Sequence, residues 1–161
     1  MITLRRFLAI FSLMFWMGGF MFYGAVVVPI VRLYVVEPNP GVITQRVTQW
    51  MNLAGTLAIL VMFADVWAGA PHLKRWRWLA WLGMALPQPI LVWLHHEMSQ
   101  QMRAPNFFRS DLNPFLSDWH RPYLVLNTMQ WAAGMAFIWL ALKAWRVEDA
   151  SGPARPPNAS C

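Results

Sequence analysis

Four long apolar stretches, separated by shorter polar segments, dominate the pattern of the chain. They cover residues 7–31, 47–70, 78–94 and 123–142, and the only charged residue inside them is Asp65. A helix needs roughly 20 apolar residues to cross the hydrocarbon core of a membrane, and backbone groups in lipid must pair within their own segment. The pattern therefore predicts an all-α, integral membrane four-helix bundle, with helices at about 7–33, 47–70, 76–98 and 119–145. Four core helices of a soluble domain are the alternative, but such helices rarely carry more than about 14 apolar residues in a row.

The composition favours the membrane interpretation. Of the 161 residues, 58% are hydrophobic and only 12% are charged, about half the usual charged share in a soluble domain. The first apolar stretch follows Arg5 and Arg6, as in a signal peptide, but it is too long and no small-residue cleavage site follows it, so we expect a retained helix. Residues 1–147 then form one domain of four transmembrane helices, and the proline-rich segment 148–161 is expected to be a disordered tail. Its Cys161 is the only cysteine, which excludes an internal disulfide.

The distribution of Lys and Arg predicts the orientation. Eight of the thirteen basic residues fall before the first stretch, between the second and the third, or after the fourth. Because four crossings put these segments on one side, both termini are expected to be cytoplasmic, in a multi-pass protein of a bacterial-type inner (plasma) membrane. This arrangement accounts for the net charge of +6 without a nucleic-acid partner. The expected partners are the lipid bilayer and either another membrane protein or a second copy of the chain.

Polar residues inside the predicted spans recur at helical spacing, which places them on shared faces. The second, third and fourth predicted helices each carry one such polar stripe. All three stripes fall mainly in the outer half of the bilayer, so we predict a polar cavity there that binds a metal, a haem or another small ligand. The predicted ligand-binding residues are Gln49 and Asn52 in the second helix, Gln88 and His95 in the third, and His120, Tyr123, Asn127 and Gln130 in the fourth. The alternative is that these side chains only hold the helices together, at about 0.6 kcal/mol per pair.

The segment "LPQPILVWLHHE", residues 86–97, leads to further predictions. Pro87 and Pro89 remove backbone donors and are expected to kink the third helix, with Gln88 bonding the carbonyl groups that they free. His95 is seven residues from Gln88 and shares its face, whereas His96 points about 100° away and is expected to be peripheral.

Two histidines at similar predicted depth, His95 and His120, are the candidate ligands for a metal or haem. They end the third predicted helix and begin the fourth. The alternative is that both are solvated helix ends at the membrane interface.

Asp65 lies near the inner end of the second predicted helix. We expect it to pair with Lys74 or Arg75 across the short loop, so that Asp65→Asn lowers stability modestly; a proton relay is the alternative. Three glycines of the first helix are expected to permit close helix approach: Gly18, Gly19 and Gly24.

Two stretches of the chain resemble parts of known membrane proteins. "FLAIFSLMFWMGGFMFYGAVVVPI" (residues 7–30) combines an apolar run, a glycine pair, an aromatic residue and an outer proline, and "WHRPYLVLNTMQWAAG" (residues 119–134) has a histidine followed by asparagine at i+7. They resemble the first and last helices of small four-helix membrane proteins of the copper-resistance-D-like group. The resemblance implies a four-helix membrane bundle and, among the mixed functions of that group, copper handling or haem-linked oxidation.

Three classes of function fit the sequence. The first is a binding or redox protein that uses the outer cavity. The second is a structural or accessory membrane subunit without chemistry of its own, and the third is a small transporter. An absorption spectrum and metal analysis of purified protein discriminate the first class from the second.

Overall fold

The computed structural model describes residues 2–34, 40–69, 71–102 and 114–151, and every regular element within these ranges is helical. The elements are α1 (Ile2–Phe22), a π-helical turn (Tyr23–Val27), α2 (Val28–Tyr34), α3 (Pro40–Ala68), α4 (Lys74–Ala85), α5 (Pro87–Met102) and α6 (Pro114–Ala150). They form four rods: α1 with the π turn and α2, then α3, then α4 with α5, then α6. The all-α prediction is confirmed for the described residues.

The predicted tail begins too early in the sequence. Helix α6 continues to Ala150, so residues 148–150 are helical rather than disordered. Residues 152–161, with Cys161, lie outside the described ranges.

Within the described ranges, three helices are long and apolar enough to cross a membrane: Ile2–Val31, Gln45–Ala68 and Trp119–Ala150. The predicted third span is divided, because α4 ends at Ala85 and α5 begins at Pro87. Pro87 has no N–H to donate to the preceding turn, which interrupts the helix where the two prolines predict a kink. Leu86 keeps helical dihedral angles and donates its N–H to the Leu82 carbonyl at 2.9 Å, so the chain passes from α4 to α5 without a loop.

The chain reverses tightly between α3 and α4. Leu73 adopts a left-handed conformation, with φ 56°, directly before α4, and the Lys74 N–H donates to the Pro71 carbonyl at 3.2 Å. So short a turn makes α3 and α4 antiparallel neighbours. The start of α1 and the end of α6 lie at the same end of the bundle, where Arg6 pairs with Asp149. We call this the terminal end, and the opposite end, where α5 finishes and α6 begins, the distal end.

The main apolar core is built by α1, α3, α4 and α6. A close helix approach in it occurs at Gly55 of α3, where an added Cβ would lie 2.7 Å from Nε1 of Trp16. A Cβ added at Gly19 would lie 3.1 Å from a methionine side chain of α3, but no described residue lies within 4 Å of one added at Gly18 or Gly24. The expectation that Gly18 and Gly24 bring helices together is therefore wrong, and Gly55 permits the close approach instead.

The outer surface of the first rod is aromatic. Phe7, Phe11 and Phe15 stack along α1 with ring centroids 5.8 and 6.5 Å apart, and each is more than half exposed. Large apolar side chains are exposed on the other three rods as well, including Leu60, Trp93 and Trp139. The surface therefore has the apolar character that a lipid environment requires.

Candidate functional site

Gln88 is the centre of a hydrogen-bonded cluster that joins three rods. Its Nε2 donates to the Asn52 carbonyl and to Thr56 Oγ1, both at 2.9 Å, and its Oε1 accepts from Gln130 Nε2 at 2.7 Å. Gln130 Nε2 also donates to the Met84 carbonyl at 2.8 Å. Gln88 thus bonds α3 and α6. Its position between two prolines predicts bonds to the carbonyl groups that they free, and the side chain does not make those bonds. These bonds satisfy amide groups that would be costly to bury unpaired.

The polar stripe of α6 faces this cluster from Tyr123 onward. Tyr123, Asn127 and Gln130 are only 6%, 7% and 1% exposed, as their spacing predicts. The Tyr123 hydroxyl donates to Asn52 Oδ1 at 3.4 Å, a long and therefore weak hydrogen bond. His120, the first member of the predicted stripe, is exposed.

A cleft between α3 and α5 opens beside the cluster, toward the distal end. The part of the cleft nearer the distal end, which we call the chamber, has a volume of about 550 Å³. The polar side chains that line it are Gln45, Arg46, Gln49, Asn52 and Thr56 from α3, and His95, His96 and Ser99 from α5. The predicted residues Gln49, Asn52 and His95 are therefore brought together here.

The cleft continues toward the middle of the bundle as an apolar groove of about 630 Å³. Its lining is mainly apolar: Ile59 and Leu60 from α3, Ala85 from α4, and Pro89, Val92 and Trp93 from α5. Gln88 also borders the groove, and three residues line both parts: Thr56, Val92 and His96. Chamber and groove thus adjoin between the same two helices, and we treat them as the two parts of one cleft, whose lining changes from polar to apolar along its length.

Two buried polar groups, on residues that line the chamber, are left without a partner among the described residues. Ser99 is only 8% exposed, lines the chamber, and its Oγ makes no hydrogen bond. The Nδ2 of Asn52 is also buried and unpaired. A buried donor without a partner costs about 1–3 kcal/mol, and a ligand or water that bonded these two groups would offset that cost.

The histidines take different positions. His95 is half-buried and lines the chamber, whereas His96 is exposed and its Nε2 lies 2.7 Å from Gln100 Nε2. His96 is thus the more peripheral of the pair, as the spacing predicts. His120 is outside the lining of both the chamber and the groove, so the structure does not bring it to His95 in the cleft.

The donor set of the cleft does not fit a closed metal centre or a haem with two axial ligands. His95 and His96 are consecutive on one helix and diverge by about 100°. Among the residues that the structure describes, no group of three or more His, Cys, Asp or Glu side chains could hold a metal ion.

A second polar cluster, at the terminal end, is built around Asp65. Its carboxylate accepts hydrogen bonds from Nε of Arg5 at 2.9 Å and from Nη2 of Arg77, which also donates to the Asp65 carbonyl at 3.1 Å. Both Asp65 and Arg77 are fully buried, and Arg5 is 18% exposed. The prediction that Asp65 pairs with Lys74 or Arg75 is therefore wrong.

The correct partner of Asp65 has a signal in the sequence. Arg77 precedes Ala80 and Met84 by three and seven residues, and all three side chains are buried in α4. A heptad-like spacing from two apolar residues therefore places the guanidinium on the inward face, while Arg75 is exposed. Proximity along the turn favours Lys74 and Arg75, but helix geometry favours Arg77.

Comparison of this chain with protein-family models, with curated proteins and with solved structures gives no match. The resemblance to the copper-resistance-D-like group stays a prediction.

Proposed function

We propose that this chain is a multi-pass membrane protein, a four-helix bundle with both termini cytoplasmic, that binds a small ligand in the cleft between α3 and α5. The first, second and fourth rods have the length and apolarity of membrane spans. The remaining rod, formed by α4 and α5 from Lys74 to Met102, is about 43 Å long at 1.5 Å per residue, which exceeds the roughly 30 Å of hydrocarbon in a bilayer. With the termini inside, the chamber lies near the outer surface.

The observation that carries the binding function is the unpaired hydroxyl of Ser99. Gln88 and Gln130 pair their buried amides across helices, as side chains that hold helices together do. Ser99 instead borders a chamber of about 550 Å³ without a partner. Ligand sites are clefts of roughly this size, about 300–1,000 Å³, with a few convergent polar groups.

The test is to purify the full chain in a mild detergent and to measure bound molecules by native mass spectrometry. Ser99→Phe fills the chamber, and Val125→Phe adds the same bulk at an exposed position of α6. The wild type and Val125→Phe are expected to carry a bound molecule that Ser99→Phe lacks, with all three unfolding at similar temperatures. The proposal fails if no variant carries a ligand, or if a folded Ser99→Phe retains it.

The second candidate is an accessory subunit without a ligand, which the internal bonds of Gln88 favour. It predicts no difference in bound mass between wild type and Ser99→Phe. An absorption spectrum and metal analysis of the same samples identify the occupant if it is a haem or a metal, since a Soret band or a stoichiometric metal would then be lost in Ser99→Phe.

A further inference from the structure

We infer that the cleft between α3 and α5 binds an anionic phospholipid, with the head group in the chamber and one acyl chain in the groove. This inference rests on the proposed binding function and names the class of its ligand. It follows from the order of chemistry along the cleft, from the charge of the chamber, and from the openness of the groove.

The cleft has the polarity and the length of a lipid in one leaflet. Its α3 side begins with Gln45 and Gln49 and ends with Ile59 and Leu60. The fifteen residue-to-residue steps from Gln45 to Leu60 span about 22 Å along the helix. One leaflet supplies about half of the roughly 30 Å of hydrocarbon, plus its head-group layer. A molecule that fills both parts therefore needs a polar end at the surface and an apolar end near the midplane.

The chamber favours a head group that is anionic and rich in acceptors. Among the described residues that line it, Arg46 carries a permanent positive charge and none is a carboxylate. The two unpaired groups, Ser99 Oγ and Asn52 Nδ2, can both donate hydrogen bonds. Phosphate oxygens accept such bonds and pair with a guanidinium, and charge-assisted bonds are about twice as strong as neutral ones.

The groove is open along its side, which gives an acyl chain a lateral path from the surrounding lipid. Val92 and Trp93, on its α5 wall, are 45% and 50% exposed, and Leu60, on its α3 wall, is 58% exposed. A ligand that dissolved only in water would gain nothing from this lining, because burial of apolar surface favours apolar groups alone.

The experiment measures thermal stabilisation of the full chain in neutral detergent as phosphatidylglycerol is added. Phosphatidylcholine with the same acyl chains and inorganic phosphate are the comparison ligands. Arg46→Gln removes the cation of the chamber, and Arg121→Gln removes an exposed arginine from the same end of the bundle. Val92→Trp blocks the groove, and Val125→Trp adds equal bulk on the exposed face of α6.

Phosphatidylglycerol is expected to stabilise the wild type, and phosphatidylcholine and phosphate to have little effect. Arg46→Gln and Val92→Trp are each expected to raise the half-saturating concentration about tenfold or more, the scale of one charge-assisted contact. The two control variants are expected to match the wild type.

Equal stabilisation by phosphatidylcholine, or an unchanged response of Arg46→Gln, overturns the anionic head group. Stabilisation by phosphate alone, or an unchanged response of Val92→Trp, overturns the acyl chain. In these cases the proposed binding function still stands if Ser99→Phe loses a bound molecule of another class. If Ser99→Phe and the wild type carry the same bound mass, both the proposed binding function and the lipid inference fail.

Discussion

Asp65→Asn is expected to be severely destabilising, contrary to the modest effect that an interfacial ion pair would give. Asp65 and Arg77 are both fully buried, and the change removes the negative charge that compensates the Arg77 guanidinium, leaving it neutral acceptors such as the backbone carbonyl of residue 65, at 3.1 Å. Breaking a buried ion pair by removing one partner costs about 3–5 kcal/mol, because an uncompensated charge stays buried. That is a large part of a typical stability of about 5–15 kcal/mol.

The reciprocal change is expected to cost less. In Arg77→Gln the Asp65 carboxylate keeps the Arg5 Nε bond at 2.9 Å, and Arg5 lies partly in solvent. We expect a loss of about 1–3 kcal/mol, the usual range for a buried polar group that loses one partner. In the double variant the two amides can bond each other, so its loss is expected to be at least about 2 kcal/mol smaller than the sum of the single losses.

The assay is unfolding of the detergent-solubilised full chain, followed by circular dichroism during titration with a denaturing detergent. Asp149→Asn is the matched control, because its carboxylate pairs with Arg6 but is 66% exposed, and surface pairs contribute less than about 1 kcal/mol. The reasoning is refuted if Asp65→Asn costs no more than Asp149→Asn, or if Arg77→Gln costs more than Asp65→Asn.

Three further predictions test the packing, the site and the topology. Gly55→Ala is expected to destabilise by about 1–3 kcal/mol, because its Cβ would overlap a tryptophan ring of α1, whereas Gly18→Ala has open space and is expected to be neutral or stabilising in the same unfolding assay. His95→Ala is expected to weaken lipid binding by roughly threefold to tenfold, one net hydrogen bond, while His120→Ala leaves the thermal-shift titration unchanged; equal effects would contradict the placement of the chamber. A reporter fused after Cys161 is expected to be active in the cytoplasm, and activity only outside it would reverse the orientation.

The sequence pattern was sufficient for the helices, because apolar runs and their helical periodicity are local properties. The helix ends were harder to predict from the sequence. Helix α6 extends through Glu148 and Asp149 to Ala150, since both carboxylates bond Arg6 of α1 and so support the last turn from another rod. Such a contact joins residues more than 140 positions apart. No window of neighbouring residues contains it.

The candidate site could be predicted in part, because helical spacing is a local property of the sequence. Spacing places Gln88, Tyr123 and Gln130 on inward faces, and each is buried. Spacing also assigns His120 to the α6 stripe, but the side chain is exposed. A helical repeat defines a face relative to its own axis, whereas burial at a helix end depends on whether another rod reaches that far. The pairing of Asp65 with Arg77 likewise depends on how α3 packs against α4.

The binding of a ligand in the chamber is tested most directly by the protection of a thiol at position 99. Cys161→Ser removes the only native cysteine, and Ser99→Cys then puts a single thiol on a residue that lines the chamber. A small thiol reagent is expected to label it in lipid-depleted detergent, and phosphatidylglycerol at four times its dissociation constant is expected to slow labelling about fivefold, in proportion to occupancy. A Val125→Cys control on the exposed face of α6 is expected to label equally with and without the lipid. Labelling of position 99 at the same rate in both conditions would contradict lipid binding in the cleft.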